Sequence, residues 1–358
     1  MKYAFKAMGG PCVFRIKARS EHIAYHHAQA AHEEVLRLER RYSRYREDSI
    51  TSTINASAGK NSVSIDEETY RLLNYADTAF KVSGGLFDLT SGVLRRCWDF
   101  RSQTLPNQDE VERTLTRVGW AGVRFSKDEV FLPDIGMEID FGGVVKEYAV
   151  DAALALLKKR KVEGALVDLA GDIGAFSNGF GTPWDIGIKH PRSPEKAVAT
   201  VQLANSALAS SGDYERCIVI GDRRYSHILN PKTGWPTNNA PLAVSILAPN
   251  CLVAGSSATI AMLMHSSAAR AWLSELGIPC CSLILISIRT ARWLVFRVKV
   301  SNELAREEPD PLGLRFCLNP WAVFGSCGEH GLLLGGIRID CVYLPLTVLG
   351  NTLWAIRP

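Results

Sequence analysis

The residues best placed for chemistry lie in Glu138–Asp151, EIDFGGVVKEYAVD. A glycine pair, Gly142-Gly143, sits between an apolar strand and a helix start. Free backbone N–H groups and the helix dipole make such a junction an anion site, and the missing side chains admit a phosphate. The same spacing reads equally as a tight strand-to-helix turn. Ala170–Asp172 (AGD) follows a buried strand and places Gly171 and Asp172 at a turn. Leu86–Thr90 (LFDLT) offers Phe87 for stacking and Asp88 as an acceptor, or core plus cap. Tyr225–Gly234 (YSHILNPKTG) sets one histidine, His227, beside an Asn-Pro turn that would expose it to act as a base. His22, His26 and His27 give an i,i+4 pair on a helix, but beside its apolar stripe and with no third ligand. That pattern reads as a solvated face rather than a metal site. Cys280-Cys281 has no CxxC partner and reads as two buried thiols.

The elements that must position these residues follow from periodicity. Lys2–Ala7 and Cys12–Ala18 are expected strands around a Gly9-Gly10-Pro11 turn. Ala24, Ala28, Ala31, Val35, Leu38 and Tyr42 step by four and three, a helix of about five turns. Tyr42–Arg46 (YSRYR) closes it. Asp66–Val82 is a second helix, capped by Ser64 or Asp66, with Leu72, Leu73, Ala76, Ala79 and Phe80 inward. Asn107–Val118 is a third, and Val123–Leu132 is hairpin-like. After the glycine pair, Val145, Ala149, Ala152 and Leu156 form the expected inner face of another helix. Ala165–Leu169, Trp184–Ile188, Val198–Leu203, Cys217–Ile220 and Leu242–Leu247 are expected strands, and Leu252–Met264 and Ala268–Leu276 helices. Long helices between runs of hairpin-spaced strands indicate an α+β fold with mostly antiparallel sheets.

Composition sets the limits. The 358 residues are 47% hydrophobic and 22% charged, which excludes a disordered chain or a coiled coil. A net charge of +4 argues against a nucleic-acid protein working through a basic face. No run reaches the roughly 18 apolar residues of a spanning helix. Met1–Phe14 is not a secretory signal, because Lys6 and Gly9-Gly10-Pro11 interrupt it. The expectation is a cytoplasmic chain, or a periplasmic or membrane-associated one if a leader precedes it. Five of the nine cysteines (Cys280, Cys281, Cys317, Cys327, Cys341) fall in the last 79 residues. From about Leu283 no confident period emerges.

Taken in order, the motifs resemble those of the ApbE-type FAD:protein FMN transferases. The matching stretches are MGGPC (Met8–Cys12), YSRYREDS (Tyr42–Ser49), GGLFDLTSGVL (Gly84–Leu94), IDFGGVVKEYAVD (Ile139–Asp151), ALVDLAGDIGAF (Ala165–Phe176), PWDIGIKHPR (Pro183–Arg192), ALASSGDYER (Ala207–Arg216) and YSHILNPKTGWP (Tyr225–Pro236). Each alone is weak. Eight in the family's order, over residues 1–282, are specific. The resemblance implies a T-fold-like domain that takes FAD as substrate and uses Mg²⁺. It moves FMN onto a Thr or Ser hydroxyl of a client flavoprotein, releasing AMP. An FAD pyrophosphatase yielding FMN and AMP is the alternative, and a flavin-binding protein with an impaired metal site is another. By resemblance, Met8, Tyr45, Leu86, Phe87, Asp88, Asp140, Lys146, Gly171, Asp172 and Ile228 are the FAD-binding positions. Gly143 (through its backbone) and Thr259 are metal positions, and His227 is the base for the incoming hydroxyl.

Two departures stand out. The family's metal motif has an Asp four residues before the Thr, on the same helix face. In CLVAGSSATIAM that position is Gly255. Mg²⁺ usually takes one or two carboxylates, so Gly255 is either an inactivation or a site where another acid, such as Asp172 or Asp213, takes over. The second departure is Leu283–Pro358, which lacks the family's ending. It reads as an added module or a replaced ending, and its composition favours weak order.

Overall fold

The computed structural model describes residues 1–178, 182–277, 280–285, 293–295, 332–334 and 337–341. The chain opens with a hairpin, β1 (Lys2–Ala7) and β2 (Gly10–Lys17). Its turn is Met8-Gly9 rather than Gly9-Gly10-Pro11, because both residues adopt positive φ, 53° and 77°. That is the geometry that lets a two-residue loop match the strand twist. α1 (Glu21–Tyr42) buries Ala24, Ala28, Ala31, Val35, Leu38 and Tyr42, the stripe expected from spacing, and Ser20 caps its start. A short α2 (Ile50–Ala56), not foreseen from periodicity, precedes β3 (Val63–Ser64). α3 (Glu67–Val82) begins at the Asp66 cap, whose carboxylate accepts from Thr69 N at 2.9 Å. It turns Tyr75 inward, and Phe80 is only partly buried. α4 (Gln108–Leu115) is shorter than expected, ending where Thr116 takes the cap position. β4 (Arg124–Phe125) and β5 (Glu129–Phe131) form the small hairpin.

α5 (Val145–Lys159) corrects the expected inner face. It buries Val145, Glu147, Ala149, Val150, Ala153, Leu154 and Leu157, whereas Ala152 and Leu156 are only partly buried. The helix packs between α1, α6 (Cys251–Met262) and the sheet, so a wider face than one stripe is covered. The remaining strands are β6 (Gly164–Leu169), β7 (Asp172–Ser177), β8 (Trp184–His190), β9 (Ser193–Leu203), β10 (Asn205–Gly212), β11 (Cys217–Ile220), β12 (Arg223–Ser226), β13 (Ala243–Ala248) and β14 (Cys280–Leu285). α7 (Ser266–Glu275) follows α6.

The main sheet runs β1-β2-β6-β7-β10-β13-β14 and on to Trp293–Val295, with antiparallel pairing throughout. Alternation along β6 explains how both faces are buried. Ala165, Val167 and Leu169 join the core under α1, α5 and α6. Leu166 points the other way, into a second cluster with Ile186, Ile188, Val201 and Leu203 of the β8–β9 hairpin. The fold is thus α+β with antiparallel sheets, as expected. β14 crosses the expected boundary at residue 282 and pairs with β13 through Cys280 and Cys281, whose side chains lie outside the described residues. Most of Leu283–Pro358, and hence the expectation of weak order there, also lies outside them. Among the described residues no helix is long and apolar enough to cross a membrane.

Candidate active site

Register brings the motifs to one end of the main sheet. Cys12 pairs with Leu169 and Leu169 with Asp172, so the Met8-Gly9 turn and the Ala170-Gly171 turn lie side by side. β10 runs antiparallel to β7 and so ends, at Ser211 and Gly212, on the same side. Ala170 and Gly171 both have positive φ, 54° and 96°. The hydrogen bond that closes this turn comes from the preceding acid, Asp168, which accepts from Gly171 N at 2.9 Å. That leaves the Asp172 carboxylate for another partner.

The partner is Lys146, the second residue of α5, at 2.5 Å. Burial alone works against the ammonium charge, but Asp172, Glu147 and Glu215 hold it protonated, above the ordinary lysine range. Asp140 caps the short helical turn Phe141–Gly143 by accepting from Gly142 N at 2.9 Å, and its other oxygen pairs with Arg44. Arg44 also donates to the Tyr45 hydroxyl at 2.9 Å, which ties the end of α1 to the glycine junction. Tyr45 itself is 79% exposed, free to meet a ligand. No side chain caps the first N–H groups of α5, which keeps donors open at the junction.

His227 follows β12. Its Nδ1 lies 3.1 Å from the Arg216 carbonyl. A carbonyl only accepts, so Nδ1 carries the proton and Nε2 keeps its lone pair. Burial lowers the imidazole pKa below the ordinary value; the Arg216 hydrogen bond opposes this, and the charges of Arg216 and Lys146 add to it. A neutral imidazole with a free nitrogen is the form a base requires. Ile228, beside it, is partly buried against the core.

The Leu86–Asp88 stretch takes a different part. Gly84 and Gly85 turn the chain after α3 with φ of 61° and 85°, and Ser83 Oγ accepts from both Leu86 N and Phe87 N. Phe87 is 5% exposed and belongs to the core. That burial fits the core reading of the ring. Asp88 accepts from Thr90 N at 2.7 Å and Trp120 N at 3.2 Å, so both its oxygens serve as caps. This is the core-plus-cap alternative. Leu86 is half-buried at the same turn.

Thr259, expected as a metal position from the resemblance, lies beside the end of β10. Thr259 on α6 reaches Ser211 of β10, hydroxyl to hydroxyl at 3.2 Å. Gly255 lies one turn before it. Of the substitute acids considered from sequence, Asp213 is engaged by Arg192 through two bonds, 2.6 and 2.7 Å, and Asp172 by Lys146. A further acid, Glu147 of α5, lies against Gly255. It is buried, its Oε2 has no hydrogen-bond partner, and burial pushes its carboxyl up to about 8, with Asp172 adding and Lys146 opposing. The signal was present: a charged residue one step from Lys146 on a helix otherwise apolar inward. The expected inner face, Val145, Ala149, Ala152 and Leu156, does not include it, whereas the helix buries it. Oxygen donors of this kind, a carboxylate, a hydroxyl and a backbone carbonyl, fit a hard divalent cation. His22 and His26 lie 3.2 Å apart on the exposed face of α1.

Comparison with known proteins places the chain in a family. A model of the ApbE family matches residues 8–282. An FAD:protein FMN transferase of Treponema pallidum is 30% identical over 320 residues, covering 82% of this chain and 87% of its own. One from Klebsiella pneumoniae is 27% identical over 70% of this chain and 78% of its own. The crystal structure of the ApbE protein of Thermotoga maritima superposes with a TM-score of 0.72 at 28% identity, covering 82% of this chain and 96% of that one. The flavinyl transferase ApbE of Pseudomonas stutzeri, at 22% identity and TM-score 0.73, shares the fold over 84% of this chain and 94% of its own.

Proposed function

Because this chain belongs to the ApbE family, we propose that it is an FAD:protein FMN transferase, moving FMN from FAD onto a Thr or Ser hydroxyl of a client flavoprotein. The unit that carries the activity is the domain 1–282. The observation that carries this reading is the clustering, at one sheet end, of a charged Lys146–Asp172 pair and His227 with its free Nε2.

The chemistry follows from those groups. The client hydroxyl attacks the FMN-side phosphorus of FAD. A new P–O bond forms, the bond to the AMP phosphate breaks, and AMP departs with the electron pair. His227 Nε2 takes the hydroxyl proton. Lys146 offers fixed positive charge to the pyrophosphate, and the uncapped start of α5 offers N–H donors, which suits a reaction governed by positioning and charge neutralisation. Met8, Tyr45, Gly171, Asp172, Asp140 and Ile228 line the FAD site, with Leu86, while Phe87 and Asp88 hold its frame. The Gly143 carbonyl and the Thr259 hydroxyl would hold Mg²⁺, which would supply charge neutralisation for the phosphate groups.

The test is incubation with FAD, Mg²⁺ and a client bearing an acceptor Thr. The expected products are flavin fluorescence on the denatured client and AMP in solution. Free FMN and AMP with an unlabelled client would show water as the acceptor, and bound FAD with neither product would reduce the protein to a flavin binder.

A further inference from the structure

Position 255 is where α6 needs an acid and carries only hydrogen. The space is filled. A Cβ placed on Gly255 would meet the Glu147 Cγ first, and would stand 2.9 Å from its Oε1 and 3.0 Å from its Cδ. The Glu147 side chain, stem and carboxylate together, therefore occupies the volume in which a side chain at 255 would begin.

Three further observations bear on what that carboxylate does. Glu147 is only 5% exposed, and Oε2 has no hydrogen-bond partner, although an unsatisfied buried carboxylate oxygen is costly. Its acidic neighbours are already engaged: Asp172 by Lys146, and Asp151 by Cys251 N and Leu252 N at 2.8 and 2.9 Å. Lastly, the residues four positions from each partner of this contact are the two other metal positions. Thr259 follows Gly255 by four, about one turn of α6 away, and Gly143 precedes Glu147 by four across the junction that opens α5. The contact between Glu147 and Gly255 thus links the two halves of the site.

We propose that Glu147 supplies, from the opposite helix, the carboxylate ligand that position 255 lacks, and completes a divalent-cation site with Thr259 Oγ1 and the Gly143 carbonyl. Loss of the acid on α6 is matched by an acid on α5 reaching the same point. Gly255 is then a requirement of the arrangement, since any side chain there displaces the ligand. The inference rests on the transferase reading for the cation's role, while its geometry stands on the two helices alone.

The test is a titration of Mn²⁺ onto the full chain saturated with FAD, with free Mn²⁺ followed by electron paramagnetic resonance and FAD occupancy by flavin fluorescence. Glu147→Gln keeps the shape and removes the charge. It should weaken Mn²⁺ binding by at least about tenfold at unchanged FAD occupancy. The double variant Glu147→Gly with Gly255→Asp returns the acid to α6 and should restore Mn²⁺ affinity to within a few-fold of the parent. Undiminished Mn²⁺ binding by folded Glu147→Gln overturns the proposal. Should Glu147→Gln fail to fold, the double variant decides: restored Mn²⁺ binding supports the exchange, and a folded double variant that binds no Mn²⁺ overturns it. A parent that binds Mn²⁺ through Glu147 but labels no client leaves the site assignment intact and removes the transferase reading instead.

Discussion

At the residue scale, His227 governs when the site can work. Burial, with the charges of Arg216 and Lys146, keeps the imidazole pKa below the ordinary 6.5. The base form is present at neutral pH and is lost only as pH falls through that lowered value. Transfer rate should be level from pH 7 to about 8 and drop below about 6.5. Arg216→Ala removes one of the charges that depress the imidazole while leaving the backbone carbonyl, so the acid limb should move to higher pH. A pH–rate profile on both proteins checks this; an unmoved limb would separate Arg216 from the base. At this scale the sequence was readable where a residue type admits few roles. His227, Lys146 and Asp140 stand in a charged, partly open setting that fits their assigned work. Phe87 and Asp88 were ambiguous because an aromatic–acid pair after a glycine turn suits a ligand or a core equally. Only three-dimensional burial and the caps on Thr90 and Trp120 separate the two.

At the element scale, α5 and α6 form the working pair, and their junction is held by a cap supplied from outside. Both oxygens of Asp151 bond the first two N–H groups of α6, and Asn250 bonds the third, Val253 N, at 2.9 Å. Those donors face no water, since α6 is buried almost all round. Asp151→Ala leaves two of them unsatisfied and should cost about 2–4 kcal/mol. Urea unfolding would show a lower midpoint with an unchanged slope, and Asp151→Asn, with one acceptor oxygen left, should fall between. An unshifted midpoint for Asp151→Ala would mean that α6 does not depend on this cap. Periodicity located both helices but not how they face each other. The stripe on α1 was legible because one face of that helix is covered. α5 is covered on two sides, so its inner residues, Glu147 among them, do not reduce to one stripe.

At the scale of the whole molecule, the antiparallel α+β design does the positioning. Hairpin turns at Met8-Gly9 and Ala170-Gly171, the end of β10 and the start of α5 converge because adjacent antiparallel strands return their ends to the same side. The order of motifs along the chain revealed the family; the register that joins them does not follow from any one motif, which is why a lost acid on α6 could be seen and its replacement on α5 could not. The central claim is that the site stays complete with glycine at 255. It is tested most directly by the anomalous signal of Mn²⁺ in crystals grown with FAD. The account predicts one Mn²⁺ at about 2.0–2.2 Å from a Glu147 carboxylate oxygen and in reach of Thr259 Oγ1, against the FAD phosphates. FAD bound with Mn²⁺ held away from Glu147, or with no Mn²⁺ between α5 and α6, would contradict it.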